Sequence, residues 1–401
     1  MSWLHFKAAP HRMMFFNGAV QTIFPMLLWL LELSSRYGFI SPISMQIPSN
    51  SFHSFVMLYG VVTFFIFGFL MTTYPRWLRG KEVKENQYLP VFHTLTTGWV
   101  LFYIGLFISK WLIFASVLII FAGWMMGLKI LWNVFQHALS PNKIYEKYLN
   151  AALLSGGLGI LSFAIWLFSE QIIWLNVSKE IGLWLFLVPV IFTVSLRMIP
   201  FFSSVVLMPY KVVQPLWCLP FLAVAVLLHA LLSLVNLKEW LFLVDLPFAG
   251  VVFYLSYQWQ FKKSFKVRIL SVLHVAFLTL GISLVLYGLQ SLVWLISNVW
   301  ILDKAPLHAL TIGCIGGILV AMASRVTLGH SGRQLFADEG TWWSFWGLQV
   351  TAFIRVLAEL NISFNYVLLL LAAVLWLAFF GIWFFKYALM YWQPRIDGQA
   401  G

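Results

Sequence analysis

Nine histidines are the residues of this 401-residue chain best suited to chemistry: His5, His11, His53, His93, His137, His229, His274, His308 and His330. A neutral imidazole ligates transition metals and serves as an axial ligand of haem iron. A single histidine inside an apolar helix more often hydrogen-bonds a neighbouring helix, so depth and spacing must separate the two uses. Arg197, Arg325 and Arg355 and the acids Asp245 and Glu359 interrupt stretches that are otherwise apolar. The planar guanidinium suits bidentate capture of a carboxylate or another anion. Cys218 and Cys314 both lie in apolar runs and provide neither a disulfide framework nor a CxxC metal site.

The elements that position these residues must be membrane helices. The chain is 62% apolar, 18% aromatic and only 9% charged, with a mean hydropathy of +0.89. Soluble domains carry about a quarter charged residues, so a water-exposed globule, a disordered chain, a coiled coil and a secreted disulfide scaffold are all excluded. A span needs about 20 mostly apolar residues. Twelve stretches meet that need: Met14–Leu33, Phe52–Pro75, Leu89–Ser109, Trp111–Phe135, Lys147–Ser169, Glu180–Leu207, Val212–Asn236, Trp240–Phe261, Arg268–Ser297, Ala305–Gly329, Gly340–Leu360 and Phe364–Trp392. They predict an all-α polytopic bundle forming a single transmembrane domain over residues 1–401, with no internal repeat.

The net charge of +12 is mainly an orientation signal. With both termini cytoplasmic, only Arg36, Lys110, Lys179, Lys238 and Lys304 of the 25 basic residues fall on the outer side, and Arg355 sits within a helix. The positive-inside rule therefore places both ends in the cytoplasm.

This topology sorts the histidines by depth. His53 opens the second span and His308 the tenth, both on the outside, as two ligands of one metal or haem must be. Below His53, Met57, Gly60, Phe64 and Met71 form a stripe at helical spacing, with a glycine where a flat ring can approach the backbone. In the tenth span His308, Ile312, Ile315, Leu319 and Met322 share one face, while Gly313 and Gly317 on the opposite face predict a close helix-packing seam. Toward the inner side, His274 lies two turns into the ninth span, with Gly281 and Gly288 following at seven-residue steps, and His330 ends the tenth. Arg325 and Arg333 flank His330 and can clamp a haem propionate or another anion. His308 and His330 lie roughly 33 Å apart along a straight helix, so they serve separate sites. His229 is either a third outer ligand or a packing residue, and His93 and His137 either supplement the inner set or pack. His5 and His11 are expected in solvent or among lipid headgroups.

Ion-coupled pumps place carboxylates inside the membrane. Only Asp245 and Glu359 qualify here, and Glu359 follows Arg355 by four residues, the spacing of an ion pair. The inner half of the bundle is expected to hold no acid, which disfavours a proton pump. No nucleotide fingerprint, Walker motif or HExxH is present.

The run Leu307-His308-Ala309-Leu310-Thr311-Ile312-Gly313-Cys314-Ile315-Gly316-Gly317, continuing to Ser324-Arg325-Val326-Thr327-Leu328-Gly329-His330-Ser331-Gly332-Arg333, resembles the NnrS family of haem- and copper-containing bacterial membrane proteins linked to nitric oxide metabolism. Supporting segments are Ala9-Pro10-His11-Arg12, His53-Ser54-Phe55-Val56-Met57-Leu58-Tyr59-Gly60, Arg197-Met198-Ile199-Pro200-Phe201-Phe202 and Leu273-His274-Val275-Ala276-Phe277. One departure stands out: many members read His-x-His in the second span, where this chain has Phe55. The resemblance implies haem and copper as cofactors, functional roles for His53, His274, His308 and His330, and for Arg197, Arg325 and Arg333. Which histidine pair holds which metal stays open. Paired histidines in the second and tenth of twelve helices also resemble, at the level of fold only, the main subunit of haem–copper oxidases, which would give the haem to His53 and His308. Such oxidases need a three-histidine copper site fed by helices 6 and 7. Helix 6 has no histidine here and helix 7 only His229, so oxygen reduction is not expected.

The resulting expectation is a bacterial inner-membrane haem/copper protein of nitric oxide metabolism or nitrosative-stress protection. Its partners would be the bilayer, nitric oxide or a related small ligand and an electron donor, with no nucleic acid. The alternative is a non-enzymatic copper or haem handling protein, transporter or assembly factor for respiratory enzymes, suggested by the 13 Met and 9 His.

Overall fold

The computed structural model describes residues 2–360 and 364–398 and is helical, with no strand among those residues. Twelve of its helices, labelled in chain order, fall on the twelve expected stretches: α1 Pro10–Arg36, α2 Ser49–Leu78, α3 Glu85–Ile108, α4 Lys110–His137, α5 Ile144–Ser169, α6 Ile172–Val206, α7 Cys218–Leu234, α8 Lys238–Gln258, α9 Arg268–Ser297, α10 Ala305–His330, α11 Glu339–Leu357 and α12 Asn365–Trp392. Ten of them, all but α7 and α11, are long and apolar enough to cross a membrane.

Several boundaries differ from the sequence expectation for local reasons. Pro10 at the first helical position starts α1 a turn early, which brings His11 and Arg12 into the helix. Both are buried rather than solvated. The region from 207 to 217 is non-helical and contains Pro209 and Pro215, so α7 keeps 17 residues. Glu146 lies in the first turn of α5 and is fully buried, so the helix end that the charge distribution assigns to the inner side carries an acid not expected there. Ser109 separates α3 from α4: its backbone is extended and its Oγ accepts from Trp111 N at 3.2 Å.

The chain forms two compact units, one of residues 1–190, 326–333 and 384–401 and one of residues 191–325 and 334–383. In the first, small residues bring helices close. A Cβ on Gly98 would lie 2.7 Å from Ile120 Cγ1 where α3 meets α4, and one on Gly68 would lie 2.8 Å from Met14 Cβ where α2 meets α1. In the second unit, α8 packs on α9 through Phe253 against Gly281 and Leu246 against Gly288. The expected seam of α10 forms as well: Gly313 lies against Thr279 of α9, Gly317 against Ala276, and Gln349 of α11 donates to Gly313 O at 2.9 Å.

Among the described residues, three segments are π-helical: Val56–Gly60 in α2, Ile181–Leu187 in α6 and Ala309–Gly316 in α10. In the first, Val61 N reaches back five residues to Val56 O at 3.0 Å. The wider turn holds an extra residue, so side chains beyond it rotate away from a constant 3.6-residue register. Such segments are frequent at functional sites, and two of them begin within one turn after His53 and His308.

Candidate functional site

Within the second unit, the end of α6 supplies two adjacent contacts. Ser203 Oγ lies 3.0 Å from His274 Nε2, and the neighbouring Phe202 ring lies 3.7 Å below the Arg325 guanidinium carbon. His274 is almost completely buried, and its Nδ1 has no partner. Arg325 is 7% exposed, and its Nε and Nη1 are likewise unpartnered. A buried guanidinium with unused N–H groups is costly. Cation–π contact with Phe202 offsets part of that cost, but it leaves the in-plane donors open. This neighbourhood therefore presents an imidazole nitrogen and unused guanidinium N–H donors in an apolar setting.

In the same unit, His229 Nδ1 and Asp245 Oδ1 are 2.7 Å apart with side chains 2% and 0% exposed, joining α7 to α8. Tyr287 packs edge-on against the imidazole at 5.2 Å. A carboxylate on one ring nitrogen fixes the tautomer and orientation of the ring. Both residues fall in the outer halves of their expected spans, and that shared depth is the sequence signal for the pair. His308 is half-buried, with Nδ1 2.9 Å from Lys304 O in the preceding turn. Arg355 and Glu359 form the expected ion pair. Arg197 is half-buried, and its carbonyl accepts from Gln214 Nε2 at 2.9 Å.

In the first unit, His330 meets a residue expected in solvent or among lipid headgroups. Its ring centroid lies 4.5 Å from that of His11, whose Nδ1 is 3.5 Å from Thr72 Oγ1. The two imidazoles line a cavity of about 10 Å³ with Arg12, Thr327, Met390 and Tyr391, room for one water. Arg12 donates to His5 O at 3.0 Å and to Gln393 O at 2.7 Å. Arg333 donates to Gln393 Oε1 at 3.0 Å, while its Nη1 has no partner. Arg395 chelates Asp397 through Nε at 2.9 Å and Nη2 at 2.6 Å. Guanidinium groups thus crowd this histidine pair. The signal for His11 was Pro10, which marks a helix start rather than a tail.

His53 stacks on Trp29 with centroids 4.0 Å apart. The flat ring that approaches Gly60 is the Trp99 indole, 3.1 Å from where a Cβ would sit. Phe55, at the departure from the resemblance, is buried in an aromatic stack 3.9 Å from Phe163. His93 and His137 are exposed, and His137 Nδ1 lies 2.9 Å from Asn133 O of its own helix. His53 and His330 belong to the first unit, and His274 and His308 to the second. Among the described residues, no group of three or more His, Cys, Asp or Glu is arranged to hold a metal ion.

The family model described as NnrS protein matches residues 5–395, nearly the whole chain. Comparison with curated proteins gives no match.

Proposed function

We infer the function from one premise: the chain belongs to the NnrS family, whose model spans residues 5–395. It is a multi-pass membrane protein linked to the nitric oxide response. Beyond that, we propose that it binds nitric oxide at a haem held in the second unit by His274 and Arg325. The observation that carries this reading is the set of orphaned atoms there, His274 Nδ1 and Arg325 Nε and Nη1. A porphyrin propionate gives the guanidinium an anionic acceptor for N–H groups that otherwise have none. Ser203 holds the other nitrogen of His274 and so fixes the ring, while Phe202 supports the guanidinium from below. Haem, when bound, supplies an iron centre that takes nitric oxide as a ligand and exchanges single electrons. Nitric oxide is small and apolar and reaches a buried site through the hydrocarbon without a polar channel.

Among the described residues, copper finds no donor set of this quality. The imidazole pair His11 and His330 shares its cavity with Arg12, and a further cation there is opposed by like charge. The proposal therefore does not extend to copper. The proposed setting is the bacterial inner membrane, with twelve spans and both termini cytoplasmic, supported by the uneven placement of the basic residues.

Absorption spectra and iron analysis of the purified protein and its variants test the assignment. His274→Ala should lose the Soret band and Arg325→Gln should lower haem occupancy. Nitric oxide should shift the spectrum of the dithionite-reduced protein. Full haem content in His274→Ala overturns the assignment, and its loss in His53→Ala and His308→Ala gives the iron to those residues instead. A reduced spectrum unaltered by nitric oxide removes the ligand reading in favour of cofactor handling.

A further inference from the structure

Away from the histidines, the first unit contains a cavity of about 270 Å³ bordered by α1, α2 and α3. Its lining includes polar side chains where the helices are otherwise apolar. Asn17 and Gln21, one turn apart on α1, meet Thr96 and Tyr103 of α3. Asn17 Nδ2 donates to Thr96 Oγ1 at 2.6 Å, and the Tyr103 hydroxyl donates to Gln21 Oε1. Those two bonds leave the Asn17 carbonyl oxygen and the Gln21 amide nitrogen uncommitted, and Gln21 is only 6% exposed. Phe24, Phe64 and Trp99 supply aromatic walls, and contact with Gly60 holds the Trp99 ring in place. The rim residues Val20, Phe24, Val100 and Ile104 are exposed. Val20 and Phe24 project from the middle turns of α1, and Val100 and Ile104 from the C-terminal half of α3, so the mouth is rimmed by apolar side chains suited to hydrocarbon.

We propose that this cavity binds the headgroup of an isoprenoid quinone drawn from the bilayer. Polar residues that merely join two membrane helices spend their atoms on each other and close the space between them; here Asn17 and Gln21, each with an uncommitted atom, line open volume. A dissolved gas needs far less room, and a saturated acyl chain makes no use of an amide. A flat ring bearing carbonyl acceptors uses both features: the Gln21 N–H meets a ring carbonyl and the aromatic walls take the ring face. The apolar rim lies where an isoprenoid tail would run out into lipid. A mostly apolar pocket with a few convergent polar groups is the usual form of a small-molecule site. The inference stands apart from the haem assignment, since it uses none of the same residues.

The test uses the full chain in quinone-free phospholipid nanodiscs with a photoreactive azido-quinone, mapping the labelled peptides by mass spectrometry. Labelling is expected to saturate on residues 17–24 and 96–104 and to be displaced by decylubiquinone. Gln21→Leu should weaken that displacement about tenfold, the loss of one buried hydrogen bond. Val100→Trp should fill the mouth and abolish labelling without lowering the melting temperature; should that variant not fold, Gln21→Leu carries the test. Label confined to other segments, displacement unaffected by Gln21→Leu, or equal displacement by the ring-less isoprenoid farnesol would each overturn the proposal.

Discussion

Removing one side of the His229–Asp245 bond strands the other in a site that water does not reach. Asp245 Oδ2 already lacks a partner, so His229→Leu leaves a carboxyl group buried with nothing to compensate it. Breaking such a pair from one side typically costs ~3–5 kcal/mol, whereas replacing both partners with apolar residues can be nearly neutral. Thermal unfolding in detergent should therefore show His229→Leu well below the parent and the double variant His229→Leu/Asp245→Leu recovering most of the loss. Additive losses would show that the two residues act independently. The pairing was hidden in the sequence because sixteen positions and a chain reversal separate the partners. The Arg355–Glu359 pair was legible because i,i+4 neighbours meet on any helix.

At the level of the helix, one kind of substitution should change sign with its surroundings. A methyl at Gly317 would sit 2.9 Å from Ala276 Cβ and 2.9 Å from Gln349 Nε2, and the alanine side cannot swing away. Overpacking of this sort costs ~1–3 kcal/mol. A methyl at Gly250 of α8 meets nothing within 4 Å, so it gains helix propensity worth up to about 1 kcal/mol. Melting temperatures should fall for Gly317→Ala and rise for Gly250→Ala; the same sign in both would contradict the seam. The Gly313/Gly317 seam was readable from a four-residue repeat. The π-helical turns after His53 and His308 were not, because a constant 3.6-residue period cannot represent an inserted residue.

For the molecule as a whole, the distribution of Lys and Arg makes a topological prediction. Reporter fusions at the N- and C-termini should both read as cytoplasmic, and a fusion in the loop between α1 and α2 as external; termini on opposite sides would remove one proposed span. The sequence by itself determined that this is a helical membrane protein, where its apolar stretches lie and which family it belongs to. Composition, run length and one specific motif block carry that information locally. It also singled out His274, His330, Arg325 and Arg333, since charged or imidazole side chains in apolar helices are conspicuous. Only the tertiary structure decided their company: His274 with Ser203, Arg325 over Phe202, His330 against a buried His11, and Asn17 and Gln21 beside an open cavity. The physical reason is that helical period fixes neighbours three or four residues apart, whereas partners on different helices depend on how those helices pack. That packing is set by glycine contacts and π-helical turns whose effects do not appear in a one-dimensional pattern.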